Sequence, residues 1–263
     1  MNPILKWAGV AMAASMIAAC GGGGGSSELV LPDANTLCAS AGLTPKILNG
    51  AECAQPERSP VVLLALLGAD GVQRSCSGTM LTPTRVLTAA HCMPPGTRAI
   101  AAVQWKANGK GSLVYASNWV AHPGYSTAGE GFQNDVGVVT LRSGMSNPSM
   151  PLLVSSPSRV GDEAFIAGWG LPGLDLAVGY VRMTRVDEAH IGYTYKGQAS
   201  NTCSGDSGGP AYRGVGGPGG IVGITSSGSV EGCGDGDVSL YTNIQTPRVL
   251  NFIRAQAPGA GEI

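Results

Sequence analysis

Apolar residues in this chain come in short runs broken by turn residues. Val61–Leu67 is one such run, closed by Gly68-Ala69-Asp70-Gly71 before Val72 opens the next stretch. This reads as a strand, a tight turn and a returning strand. Cys76–Leu81, Arg85–Thr88, Val136–Leu141 and Gly220–Thr225 read as further short strands. Arg142–Pro157 is turn-rich and reads as a passage between two halves. The stretch at about 247–256 has helical spacing, with Val249, Leu250, Phe252 and Ile253 forming its apolar face. The tail after Pro258 is expected to fray. The 41 glycines and 17 prolines agree with many short strands rather than long helices, and 263 residues can bury two modest cores.

Charge narrows the function classes. Net charge is -1, charged residues make up 13 %, and no basic or acidic run stands out. Nucleic acid is therefore not an expected partner. The N-terminus carries Lys6, an apolar stretch from Trp7 to Ala19, and then Ile17-Ala18-Ala19-Cys20 at its end. This has the form of a signal peptide over 1–19, too short for a comfortable membrane span. The last four residues resemble a bacterial lipobox, which implies lipidation of Cys20 and a membrane anchor. Gly21 to Gly25 and Ser26-Ser27 follow as a flexible tether. Gly21 in place of Asp resembles the outer-membrane sorting pattern, so an exported, cell-envelope location is expected, or secretion if Cys20 is unmodified. Without Cys20, six cysteines remain, an even set that reads as disulfides in an exported chain.

Three segments carry chemistry. Gly205-Asp206-Ser207-Gly208-Gly209-Pro210 sets a serine among glycines, where backbone N–H groups can face a ligand. Leu87-Thr88-Ala89-Ala90-His91-Cys92 supplies a base, and Asn134-Asp135-Val136 supplies a carboxylate to orient it. A serine hydroxyl is a poor nucleophile without such a base, and the base needs an orienting group. No Cys/His cluster has zinc-ligand spacing, so no metal and no cofactor are expected. His122 and His190 stand outside these segments and read as structural or surface residues.

Together the segments resemble serine proteases of the trypsin/chymotrypsin type, in the chain order His, Asp, Ser. The likeness covers residues 47–256, and Ala164–Gly170 matches it too. It implies an all-β fold of two antiparallel six-stranded barrels with a short C-terminal helix. The first barrel would span about 47–145 and the second about 156–246, with 20–46 as tether and propeptide. It implies His91, Asp135 and Ser207 as the catalytic triad, and the N–H groups of Gly205 and Ser207 as an oxyanion hole. Lys46-Ile47-Leu48-Asn49-Gly50 resembles the family's activation junction. Cleavage after Lys46 would free the Ile47 ammonium to pair with Asp206. Cys76 would pair with Cys92 and Cys203 with Cys233, leaving Cys38 and Cys53 to pair across the junction.

Specificity is read from the same resemblance. Asn201, Thr202 and Ser239 would line the pocket for the side chain before the scissile bond. Ser226 would support Asp135, and Gly228 would pair with the substrate backbone. Ser227 stands where the family has tryptophan. Asn201 is neutral and Ser239 replaces a glycine, so small or medium uncharged side chains are expected. Asp235 or Asp237 could reach the pocket only from a shifted loop. A neutral pocket would not accept Lys46, so another protease would activate the chain. The expected activity is that of a serine-type endopeptidase acting on proteins or peptides. The alternatives are a non-catalytic binding protein on the same scaffold and an esterase-like hydrolase.

Overall fold

In a computed structural model of the chain, the described residues are 51–52, 56–106, 109–170, 175–197, 199–214, 219–230 and 233–263. The first half is built from β2 (Val61–Leu67), β3 (Gln73–Thr82), β4 (Arg85–Thr88), β5 (Ala99–Trp105), β6 (Gly111–Ala121) and β7 (Gly137–Leu141). They close into an antiparallel barrel in the order β2-β3-β4-β7-β6-β5. The period-2 pattern decides which side chains face inward. On β2, Val62, Leu64 and Leu66 are buried, while Leu63, Ala65 and Leu67 are partly exposed. Met80, Val86, Ile100, Ala102 and Val138 join them in the core.

The second half holds β8 (Glu163–Gly168), β9 (Ala177–Arg182), β10 (Arg185–Val186), β11 (His190–Thr194), β12 (Pro210–Arg213), β13 (Gly220–Ser227) and β14 (Val238–Asn243). With β1 (Ala51–Glu52) they form a curled eight-stranded sheet, ordered β1-β9-β8-β12-β13-β14-β11-β10. Six strands of four or more residues make its body, and two-residue strands flank it at both edges. Ile166, Val181, Ile191, Val222 and Tyr241 form its own buried cluster. The expected all-β class with a short C-terminal helix thus stands, with two differences. The second sheet is not a closed ring like the first. And β1, expected in the first barrel, pairs with β9 of the second sheet, Ala51 opposite Val178.

α1 (Pro247–Gln256) begins with proline at its first turn, where the missing N–H costs nothing. Val249, Leu250 and Ile253 are buried against the first core, and the Phe252 ring meets His122 edge-on at 4.9 Å. The expected fraying of the tail is wrong. Leu152 N–H donates to the Gly261 carbonyl (2.8 Å), and the N–H groups of Ile263 and Val154 bond across to Leu152 and Ile263. Arg254 pairs with Glu262 at 2.7 Å. The inter-half segment offers the tail a strand edge, which the sequence pattern alone does not reveal. Among the described residues, no helix is long and apolar enough to cross a membrane.

Candidate active site

His91 lies in a single turn of 3-10 helix, Ala90–Cys92, directly after β4. Ala89 and Ala90 are fully buried, so small residues bring the turn close to the barrel end. Asp135 lies two residues before β7, the last barrel strand in chain order, and follows Asn134 in a left-handed conformation (φ 49°) that asparagine tolerates better than most residues. Its side chain is wholly buried. Oδ1 accepts from the His91 backbone N–H (2.8 Å), and Oδ2 accepts from His91 Nδ1 (2.7 Å). An Nδ1–H donor here leaves Nε2 as the ring's acceptor. Oδ2 also accepts from the Ser226 hydroxyl at 2.7 Å. Ser226 sits where the β13–β14 register shifts between Thr225 and Ser227. Such a bulge re-aims a side chain, here across to the first barrel. Thr242 of β14 donates to the Asp135 carbonyl at 3.0 Å. The Phe132 ring stands edge-on to His91, with centroids 5.5 Å apart.

Ser207 lies in the loop before β12. It shares a cavity of about 550 Å³ with His91, Ser204, Gly205, the Cys76 and Cys92 pair, Pro94 and Pro95. Ser77 of β3 braces this loop. Its N–H donates to the Ser207 carbonyl (2.7 Å), and its hydroxyl donates to the Gly205 carbonyl (2.8 Å) while accepting from Trp169 N–H (2.8 Å). Gly205 has φ +97°, and a Cβ there would lie 2.9 Å from the Gly170 Cα, so only glycine fits. Among the described residues, the N–H groups of Gly205 and Ser207 donate to no other protein group. Ser77 was missed by the sequence reading. Its only signal was adjacency to Cys76.

Asp206 turns away from the cavity into the protein. Gly170 N–H donates to Oδ1 and Cys203 N–H to Oδ2, each at 2.9 Å. The absence of a side chain at Gly170 makes the room, since a Cβ there would come within 2.6 Å of the carboxylate. No cation among the described residues pairs with Asp206. Burial therefore outweighs the two hydrogen bonds and pushes its carboxyl up to about 6.

A family model described as Trypsin matches residues 47–253. The chain belongs to the trypsin family. Human kallikrein-12 is 30 % identical, over 78 % of this chain and 89 % of its own. Brachyurin of Leptuca pugilator is 29 % identical, over 69 % and 87 %, and a trypsin of Saccharopolyspora erythraea is 28 % identical, over 74 % and 92 %. Among solved structures, HL collagenase superposes with a TM-score of 0.66 at 19 % identity, covering 80 % of this chain and 97 % of that one.

The other residues named from the trypsin-family likeness divide into three groups. Cys76–Cys92 and Cys203–Cys233 are disulfide-bonded as expected. His91 lies near the first pair, but those sulfurs are spent in the disulfide and offer no thiolate to a metal. Cys20, Cys38, Lys46, Ile47 and Cys53 lie outside the described residues. Asn201 and Thr202 are each within hydrogen-bond reach of Ser239, and Gly228 lies against the Asp237 carboxylate. Asn201 is fully buried and bonds to a carboxylate, Asp237, which is also buried. His122 and His190 stand off the site as expected: Gly124 N–H donates to His122 Nδ1 (3.0 Å), and His190 Nε2 bonds the Phe132 carbonyl (2.9 Å).

Proposed function

We propose that this chain is a serine endopeptidase that works through an acyl-enzyme. The observation that carries the proposal is the Asp135 carboxylate, bonded to His91 Nδ1 and Ser226, with His91 and Ser207 lining one cavity. Ser207 Oγ attacks the substrate carbonyl carbon, and its proton passes to His91 Nε2. Asp135 holds the imidazole in the needed tautomer and stabilises the imidazolium. The carbonyl oxygen becomes an oxyanion and is met by the N–H groups of Gly205 and Ser207. The C–N bond then breaks, and His91 gives its proton to the leaving amine. Water adds to the acyl group, its proton going to His91 and then back to Ser207 as the acid product leaves.

Activation follows from Asp206. A fully buried carboxylate at the nucleophile loop with two neutral donors has no counter-charge among the described residues. Cleavage after Lys46 would supply one, the Ile47 ammonium. The N-terminal signal, lipidation at Cys20 and a Cys38–Cys53 link would keep the active domain on the cell envelope. The two observed disulfides fit an exported protein.

The test is a peptide-library digest read by mass spectrometry, using protein cleaved after Lys46 with Ser207→Ala alongside. Cuts made by the wild type and missing from the variant are expected. Their absence, with Ile47 verified as the new N-terminus, would transfer the assignment to a binding protein or an esterase-like hydrolase.

A further inference from the structure

One buried histidine has no part in the mechanism above. His190 opens β11 and is only 1 % exposed. Its Nε2 lies 2.9 Å from the Phe132 carbonyl. A carbonyl can only accept, so Nε2 carries the proton and Nδ1 of the neutral ring is bare. That Nδ1 is buried and meets no hydrogen-bond partner among the described residues. An unpaired buried nitrogen costs stability. The fold carries that cost at the ring whose other nitrogen reaches the loop bearing Asp135.

The backbone around His190 is itself fixed. The N–H groups of Ala189 and His190 donate to Asp187 Oδ1 at 2.9 and 2.8 Å. Thr242 of β14 stands opposite His190, and its hydroxyl donates to the Asp135 carbonyl at 3.0 Å. Two cross-strand neighbours in the second half thus hold two carbonyls of one first-half loop, Phe132 and Asp135. Gly131 permits the close approach. Its φ is +69°, and a Cβ there would lie 2.7 Å from Leu240 Cδ1 and 3.1 Å from His190 Nε2. Ser126 and Gln133 exchange backbone hydrogen bonds (3.0 and 2.8 Å), which folds the loop back on itself. The Phe132 ring beside that pair stands edge-on to His91 at 5.5 Å and to Tyr125 at 6.1 Å.

We infer that His190 is a positioning residue for the reaction: by holding the Phe132 carbonyl it keeps the Phe132 ring against His91, and so keeps His91 Nε2 aimed at Ser207. The inference rests on the endopeptidase reading above. His190 acts through Phe132 and not on the reacting atoms. Asp135 bonds the His91 ring at Nδ1, which leaves the imidazole free to rock about that one hydrogen bond. The Phe132 edge is a second contact on the same ring, and it limits the rocking. A base displaced by a fraction of an ångström loses its line to the serine proton, so a group remote from the chemistry can govern the rate.

The experiment compares His190→Asn with His190→Gln in protein cleaved after Lys46. The glutamine amide nitrogen can take the place of Nε2 and donate to the Phe132 carbonyl. The asparagine nitrogen falls at the place of Nδ1 and cannot. His190→Asn should lower kcat by about tenfold to thirtyfold and move KM by less than about threefold. His190→Gln should recover most of that loss. A small aryl sulfonyl fluoride, which carries no peptide, should modify Ser207 more slowly in His190→Asn by the same factor. Phe132→Ala should reproduce the loss, and adding His190→Asn to it should cost less than about threefold more. Equal losses in the two His190 variants would make the residue a core filler and overturn the assignment. So would a change in KM alone, or losses that multiply in the double variant. If His190→Asn does not fold, Phe132→Ala carries the test: slowed kcat and slowed sulfonylation support the assignment, and unchanged rates overturn it. Ser207-dependent cutting with unaltered kcat in folded His190→Asn overturns the positioning role alone. No Ser207-dependent cutting in the wild type overturns the endopeptidase reading beneath it.

Discussion

Two regions of the second half each bury a carboxylate with no basic partner among the described residues, and they treat it in opposite ways. Around Asp206, two backbone N–H groups are the only donors among the described residues, and burial lifts the carboxyl to about 6. Around Asp237, backbone, amide and hydroxyl donors surround both oxygens and hold the carboxyl low. Burial alone thus does not decide the charge of a buried acid. The number of donors the fold delivers does. An under-solvated carboxylate like Asp206 suits a switch, since it gains most from a cation that arrives later. A fully solvated one like Asp237 is satisfied by the fold itself and needs no later partner.

The largest effect sets the scale for this contrast. Ser207→Ala or His91→Ala should lower kcat/KM by roughly 10⁵- to 10⁶-fold on every peptide, in steady-state assays of cleaved protein. A smaller loss would remove these residues from the chemistry and leave both acids without a reaction to serve.

Next comes Asp206→Asn. It removes the charge that the Ile47 ammonium is proposed to meet, and it loosens the loop holding Gly205 and Ser207. Activity should fall by roughly 10²- to 10³-fold, and equally on basic and neutral peptides. A loss confined to one class of peptide would remove Asp206 from the role of switch.

The third effect is a pH dependence of stability. In the uncleaved chain the folded Asp206 carboxyl titrates at about 6, above its ordinary value of 3.8. Between these values the folded state holds more protons than the unfolded state. Its contribution to stability is therefore whole below 3.8 and is lost as pH rises through 6, by about 3 kcal/mol in all. Urea unfolding of uncleaved Ser207→Ala should follow this trend between pH 4 and 7. Cleavage after Lys46 should reverse the slope, because a paired ammonium depresses the carboxyl. An unchanged slope would mean that Ile47 never reaches Asp206.

The smallest effect tests the third buried acid, Asp135, which already has His91 and Ser226 as donors. Ser226→Ala should cost about 1–2 kcal/mol of stability and lower kcat several-fold with KM unchanged. A change in KM alone would place Ser226 in substrate binding instead.

Much of this was legible before any coordinates. The Val61–Leu67 strand, the helix near 247–256 and both observed disulfides emerged as expected. So did the convergence of His91, Asp135 and Ser226, since the motifs around the histidine and aspartate are specific and local. The tail, the edge strand β1 and the bond between Asn201 and Asp237 were not legible. Each depends on a partner far along the chain: the tail on residues 152–155, β1 on β9, and Asn201 on Asp237.

By itself, the sequence determined the fold class and the residue types available for nucleophilic chemistry. Strand periodicity, turn residues and short motifs act over a few residues, and they are written locally. The tertiary structure alone decided the state of the buried acids. Asp206 and Asp237 are the same side chain, and nothing in their immediate neighbours says which will be starved of donors. That difference arises when strands from distant parts of the chain meet, because a buried charge is set by the dipoles around it in space.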